Sequence, residues 1–246
     1  MQSRMPNSVP QSVESRVRVS SHLEPAKLSP LFAAGFPIRL HMRTDLHLLR
    51  KAWHLFMGLL IVAIYLAGCS RSAGIMMLGT VLGLSLLMET ARLRVPSLNV
   101  KIMKVMGPLM RSCEVNRLSG MPYYVAASIL AIAIFPKPIA ALSICYLACG
   151  DPIASLFGIL YGDRSVRFAN GKSLIGTAAG IITCALVSVI YLSSLHLSDG
   201  KLIALTGIGA VAGGAAEMLP LEVDDNFSIP IVSGFALWLG FIVLGI

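Results

Sequence analysis

The most unusual chemical group in this sequence is a carboxylate inside an apolar segment. Asp151 lies in "CGDPIASLFG", residues 149–158, within a run from Pro138 to Tyr161 that has no other charge. A charge at the centre of a membrane span costs about 2.5–3.5 kcal/mol on insertion scales, so such residues usually have a function. Asp before Pro is also a favourable helix start. We therefore expect Asp151 to bind a cation, to cap a half-helix that begins inside this segment, or to do both.

A second polar segment, "DRSVRFANGKSLIGT", follows at residues 163–177. Lys172 and Ser173 follow a glycine, as at the end of a phosphate-binding Walker A loop, but Val166 stands where that motif has its first glycine. No strand is predicted before it, so the spacing excludes a P-loop NTPase. A lysine, a hydroxyl and backbone amides can still bind phosphate oxygens, and Arg164 adds positive charge.

Two glycines precede this segment, Gly158 and Gly162, and they form a G-x-x-x-G pattern. The pattern is common where membrane helices pack closely. It would equally let backbone amides approach a bound phosphate, and both interpretations remain open.

An acidic cluster occurs late in the chain, in "EMLPLEVDDNFSIP", residues 217–230. It contains Glu217, Asp224, Asp225 and Asn226. One interpretation is a solvated turn that caps the last helix. The other is a magnesium site, because Mg²⁺ prefers oxygen ligands and is commonly held by one or two carboxylates with substrate phosphates.

Basic residues mark the start of the first apolar segment, in "RKAWH". Arg50 and His54 are four residues apart and therefore lie on one helix face. They either extend to the membrane interface or orient a substrate. The segment "RSCEVNRLSG", residues 111–120, is either a plain loop or a further part of that site.

The composition indicates what must position these groups. Of the 246 residues, 56% are hydrophobic and 13% charged, and the mean hydropathy is +0.78. A soluble domain has about 25% charged residues, so the excess apolar surface must face a bilayer. We predict an all-α, polytopic transmembrane helical bundle of about seven spans, near residues 52–69, 73–90, 121–136, 138–161, 174–195, 201–218 and 229–246.

Residues 1–45 are polar and rich in Ser and Pro, so we predict a disordered extension before a transmembrane catalytic domain at 46–246. With a cytoplasmic N-terminus, 17 of the 20 Lys and Arg residues lie on the cytoplasmic side. The positive-inside rule favours this orientation. The amphipathic pattern of residues 97–110 predicts a helix that lies at the cytoplasmic membrane surface.

In chain order, the motifs "RKAWH", "METARLR", "RSCEVNRLSG", "GDPIASLFGILYG", "GKSLIGT" and "E…DDNFSIP" resemble those of one family. It is the family of CTP-dependent lipid-alcohol kinases, which includes dolichol kinase, phytol kinase and the yeast-type diacylglycerol kinase. The resemblance covers roughly residues 50–235. It implies a polytopic enzyme that transfers the γ-phosphate of CTP to a membrane lipid alcohol with a divalent cation.

The resemblance and the charge pattern together assign roles. Asp151 and Lys172 are the expected catalytic residues, and Asp151, Asp224 and Asp225 the expected Mg²⁺ ligands. Residues expected to contact the nucleotide are Gly150, Gly158, Gly162, Arg164, Lys172, Ser173, Gly176 and Thr177. Residues expected to contact the substrate or support the site are Arg50, Lys51, His54, Glu89, Arg111, Glu114, Asn116, Glu217 and Asn226. The expected partners are the membrane, CTP and the lipid alcohol, and no nucleic acid.

Two other functions fit parts of the pattern. A phosphatidate cytidylyltransferase also uses CTP, but its His-Gly-Gly stretch does not occur in this sequence. A transporter could use Asp151 as an ion or proton site in a broken helix. No internal repeat is visible, and the cluster of Lys and Arg has no clear role in a transporter.

Overall fold

The computed structural model describes residues 46–168, 170–218 and 224–246. Within these ranges the chain is helical and forms no strand longer than a single bridge. The predicted all-α class is therefore confirmed, while the predicted extension at 1–45 lies outside the described residues. The α-helices are α1 Leu48–Leu66, α2 Arg71–Arg94, α3 Pro96–Met106, α4 Gly120–Ile134, α5 Lys137–Cys145, α6 Asp151–Tyr161, α7 Leu174–Ser193, α8 Asp199–Ala215 and α9 Asp225–Val243.

All seven predicted apolar segments are helical, and six are long and apolar enough to cross a membrane. The exception is α4, which has 15 residues and matches the segment that was already short in the sequence. The amphipathic segment forms α3, which begins at Pro96 and exposes Lys101 and Lys104. A proline suits this first position, because the backbone N–H group that it lacks would have no hydrogen-bond acceptor inside the helix.

The helix that carries Asp151 lies at the centre of the bundle. In the span Lys137–Arg164, 72% of an 18-residue apolar stretch is buried inside the protein, against 17–50% in the other spans. Its neighbours approach it through small residues. A Cβ added to Gly213 of α8 would lie 2.8 Å from the ring of Tyr146, and one added to Gly150 would lie 2.8 Å from the sulfur of Cys184 in α7. Close packing of this kind stabilises helix pairs in membranes.

The expectation that Asp151 caps a half-helix is wrong. Between α5 and α6 the chain continues as a π-helical segment, Tyr146–Gly150, and Gly150 and Asp151 keep right-handed helical backbone angles. Pro152 cannot donate the hydrogen bond that an α-helix requires at its position. The wider π turn accommodates this defect without ending the helix, and such turns occur often at functional sites.

Candidate active site

Three carboxylates from separate parts of the chain meet beside the central helix. They belong to Asp151 at the start of α6, Glu217 in the turn Ala216–Met218 that follows α8, and Asp225 at the start of α9. One oxygen atom from each lies within 4.8 Å of the others. Three carboxylates at this distance repel each other strongly, so the arrangement requires positive charge.

Lys172 supplies part of that charge. Its Nζ atom lies 2.6 Å from Oε2 of Glu217 and 2.8 Å from Oδ2 of Asp225. Burial alone would lower the pKa of Lys172, but the carboxylates of Glu217, Asp225 and Asp151 together raise it above its ordinary value. The lysine is therefore held as a cation between the acids.

The residues fit a divalent metal ion. The three carboxylates supply hard oxygen ligands, which Mg²⁺ prefers. Two of them already share one cation, the ammonium of Lys172, so this position stabilises positive charge. One ammonium does not balance three carboxylates, and a divalent ion would neutralise the remaining negative charge.

The loop before α7 is shaped to present Lys172. Asn170 accepts a hydrogen bond from the Lys172 amide through its side-chain oxygen at 3.1 Å, and its side-chain nitrogen donates to the Glu217 carbonyl at 3.1 Å. Gly171 has φ +83°, in the left-handed region that favours glycine. Ser173 then caps α7, because its hydroxyl accepts from the Gly176 amide at 3.1 Å.

A cavity of about 380 Å³ adjoins the carboxylates and this loop. Part of its wall is formed by glycines at positions where a larger residue would not fit. A Cβ on Gly176 would lie 2.7 Å from the carbonyl oxygen of Ala154, and one on Gly158 would lie 3.2 Å from the Ser173 hydroxyl. The close approach of α6 and α7 at these glycines forms the cavity wall, and their contact with a nucleotide stays a prediction.

Helix α1 also places side chains close to Asp151. Nε2 of His54 lies 3.9 Å from Oδ2 of Asp151 and 3.1 Å from the carbonyl oxygen of Leu147 in the π segment. One turn earlier, Arg50 donates to Oε2 of Glu114 at 2.9 Å and to the Leu109 carbonyl at 3.1 Å. These residues line a small polar cavity that shares Asp151 and Arg111 with the larger one, and Lys51 lines it as well.

A buried ion pair holds the segment that carries Glu114. The cation of this pair is Arg92, which has 0% exposure. Its guanidinium donates from Nη2 and Nε to the two carboxylate oxygens of Glu89, at 2.6 and 2.8 Å. Arg92 also donates to the carbonyls of Val115 and Arg117, and Glu89 accepts from the Ser119 amide. Glu89 therefore acts here as a structural residue that fixes the loop between α3 and α4.

Other predicted site residues lie at the edge of this arrangement. Asp224 caps α9, since its carboxylate accepts from the Asn226 amide at 2.9 Å, and burial raises the pKa of Asp224 although this hydrogen bond opposes the increase. Asn226 donates to the Gly120 carbonyl at 3.4 Å. Within the described ranges, Arg164 and Asn116 are exposed and form no side-chain hydrogen bond, and the buried Thr177 hydroxyl has no hydrogen-bond partner.

Two residues contribute more to the candidate site than the sequence pattern predicts. The sequence predicts a supporting position for Glu217, yet its carboxylate joins the central cluster. Asn170 is not among the predicted site residues, although the Asn-Gly dipeptide before Lys172 is a recognisable turn signal. Its hydrogen bonds to both sides of the site could not be inferred from that signal.

Comparisons with known proteins give three informative relatives. The CTP-dependent diacylglycerol kinase 1 of Eremothecium gossypii is 29% identical over 75% of this chain and 64% of its own length. The protein of the same name from Schizosaccharomyces pombe is 28% identical over 77% of this chain and 91% of its own length. A probable chloroplastic phytol kinase of Triticum aestivum is 29% identical over 47% of this chain and 42% of its own length.

The chain spans less than two thirds of the Eremothecium relative. Neither a family model nor a solved structure matches this chain. The relatives nevertheless agree with the motifs quoted from the sequence, and the resemblance is confirmed: the chain is homologous to the lipid-alcohol kinases that include the CTP-dependent diacylglycerol kinases and the phytol kinases.

Proposed function

We propose that this protein transfers the γ-phosphate of CTP to the hydroxyl group of a membrane lipid alcohol. The observation that carries the proposal is the cluster of Asp151, Glu217 and Asp225 around Lys172, beside a cavity walled by glycines. Catalysis of phosphoryl transfer consists mainly of positioning and charge stabilisation, and this cluster can supply both. The names of the relatives support CTP as the donor and a lipid alcohol as the acceptor.

The triphosphate binds in the 380 Å³ cavity in this proposal. Lys172 faces the cavity and would pair with phosphate oxygens, while Arg167 lines its outer part. Arg167 now contacts Asp163 at 2.7 Å in an exposed pair, which costs little to rearrange. Gly158 and Gly176 line the cavity and let α6 and α7 approach each other closely beside it.

Asp151, Glu217 and Asp225 would hold Mg²⁺. The ion would neutralise charge on the transferring phosphate and so stabilise the transition state. Asp224 contributes indirectly, because its cap fixes the first turn of α9 and thus the position of Asp225. Lys172 would exchange its carboxylate partners for phosphate oxygens when the nucleotide binds.

The acceptor approaches from the side of His54 and Arg50. Its hydroxyl oxygen attacks the γ-phosphorus, the bond from that phosphorus to the bridging oxygen breaks, and CDP leaves. The hydroxyl proton passes to Asp151, which faces both the cavity and His54. His54 lies 3.9 Å from this carboxylate, and Arg50 and Arg111 add positive charge near the reacting groups. We place this chemistry at the cytoplasmic face, as the distribution of Lys and Arg favours.

The test uses purified protein in lipid nanodiscs with CTP labelled at either the γ- or the α-phosphate. The acceptors are a polyprenol, phytol and diacylglycerol, each assayed with wild type and with Asp151→Asn. We expect lipid label from γ-labelled CTP only, and at least about a hundredfold slower labelling with the variant. Lipid label from α-labelled CTP would contradict the proposal in favour of cytidylyl transfer, and the absence of label from both would contradict enzymatic transfer.

A further inference from the structure

An apolar groove lies beside the site, bounded by α1, α2 and α4. Ile61 of α1, Val81 of α2 and Val125 of α4 are among its lining residues. The outer faces of α1 and α2 are also apolar and exposed, with Phe56 58% and Leu87 69% accessible. Both helices have the length and composition of membrane spans, so the groove opens into the hydrocarbon region rather than into water.

The groove adjoins the reaction site. Arg50 and His54 line both the groove and the small polar cavity, and Asp151 lines that cavity and the larger one. The hydrocarbon chain, the polar head group and the triphosphate would therefore occupy the groove, the small polar cavity and the larger cavity, in that order. A molecule whose chain fills the groove would place its head group next to His54 and Asp151.

The lining suits a flexible hydrocarbon chain. Five of the lining residues are methionines, at positions 57, 88, 106, 110 and 121. Methionine side chains are unbranched and polarizable, and they repack around ligands of irregular shape. The polar end of the groove offers Arg50, Ser119 and Asn226 as hydrogen-bond donors to the oxygens of a head group.

We infer that this groove binds the hydrocarbon chain of the acceptor lipid, which enters sideways from the bilayer between α1 and α2. The inference rests on the proposed function, since it identifies the groove's occupant as the lipid alcohol whose hydroxyl is phosphorylated. Specificity for the acceptor then depends on groove residues that are distant from the carboxylate cluster.

A direct test is photolabelling with a lipid alcohol that carries a diazirine in its chain, followed by mapping of the labelled residues by mass spectrometry. We expect label on groove residues such as Met57 and Met121, and competition by unlabelled alcohol. Label confined to outward residues such as Leu87 would overturn the inference, as would equal competition by a phospholipid that has no free hydroxyl. This readout does not depend on phosphoryl transfer.

A kinetic test uses variants whose larger side chains fill the groove. Val81→Trp and, as a second variant, Ile61→Trp should raise the KM for a long-chain alcohol about tenfold while the KM for CTP stays unchanged. The matched control is Leu87→Trp, which places the same side chain on the outer face of α2 and should behave as wild type. Folded groove variants with the wild-type KM for lipid would overturn the inference. If wild type forms no lipid phosphate at all, the proposed function fails, whereas photolabelling still decides whether the groove binds the alcohol.

Discussion

The ammonium of Lys172 lies 2.6 Å from a carboxylate oxygen of Glu217, a residue 45 positions later in the chain. Asp225 completes the contact on the other side of the ammonium at 2.8 Å. The pair joins the loop before α7 to the turn after α8, so it links two elements that must both be in place for the site to exist. It also places a cation where the proposed reaction needs one.

Replacement of Lys172 by methionine should abolish phosphoryl transfer and destabilise the protein. The change leaves Glu217, which is 5% exposed at its side chain, without its partner. Loss of one partner of a buried ion pair costs about 3–5 kcal/mol. Lipid phosphate formation and thermal unfolding in detergent measure the two effects, with the exposed Lys104→Met as the control. Wild-type turnover by a folded Lys172→Met protein would contradict the assignment.

Replacement of Asp151 by asparagine should lower kcat by a factor of about 10²–10⁴, the range attributed to a positioned acid or base. Asparagine keeps the size of the side chain and removes the group that accepts the proton. The control is Asp199→Asn, at the exposed start of α8. Steady-state kinetics with saturating CTP and lipid make the comparison, and an unchanged kcat for Asp151→Asn would refute the role.

Replacement of Gly176 by alanine should destabilise the contact between α6 and α7. The new Cβ would lie 2.7 Å from the carbonyl oxygen of Ala154, which belongs to the backbone and cannot move alone. The control is Gly207→Ala in α8, where nothing lies within 4 Å of the added atom. The control should be neutral or more stable by about 0.5–1 kcal/mol, since alanine favours helices. Equal melting temperatures for both variants would contradict the packing described here.

Replacement of Arg92 by methionine should unfold the loop between α3 and α4. Arg92 is fully buried and holds Glu89 together with backbone carbonyls of that loop. We expect a loss of about 3–5 kcal/mol, because the Glu89 carboxylate would remain buried and unpaired. The exposed Arg94→Met, two residues away, is the control. Hydrogen exchange of residues 111–119 measures the effect locally, and unchanged protection in Arg92→Met would contradict it.

The helices could be predicted from the sequence because their length and hydropathy are dictated by the membrane. Asp151, the one charged residue of the apolar run from Pro138 to Tyr161, likewise indicated the candidate site. The π segment was not predictable in the same way, since a proline within an apolar run is compatible with a broken helix or with a continuous one. The contacts of Lys172 with Glu217, and of His54 with Asp151, depend on how distant helices pack, and no local pattern encodes them.

The metal-binding role of the carboxylate cluster is tested by the Mg²⁺ dependence of lipid phosphate formation from γ-labelled CTP, compared between wild type and Asp225→Asn. Asp225 contributes one of the three clustered carboxylates, and asparagine retains its size without the charge. We predict that wild type requires Mg²⁺ and that the variant needs at least about tenfold more Mg²⁺ for half-maximal rate. Equal rates and equal Mg²⁺ dependence in the two proteins would contradict the account.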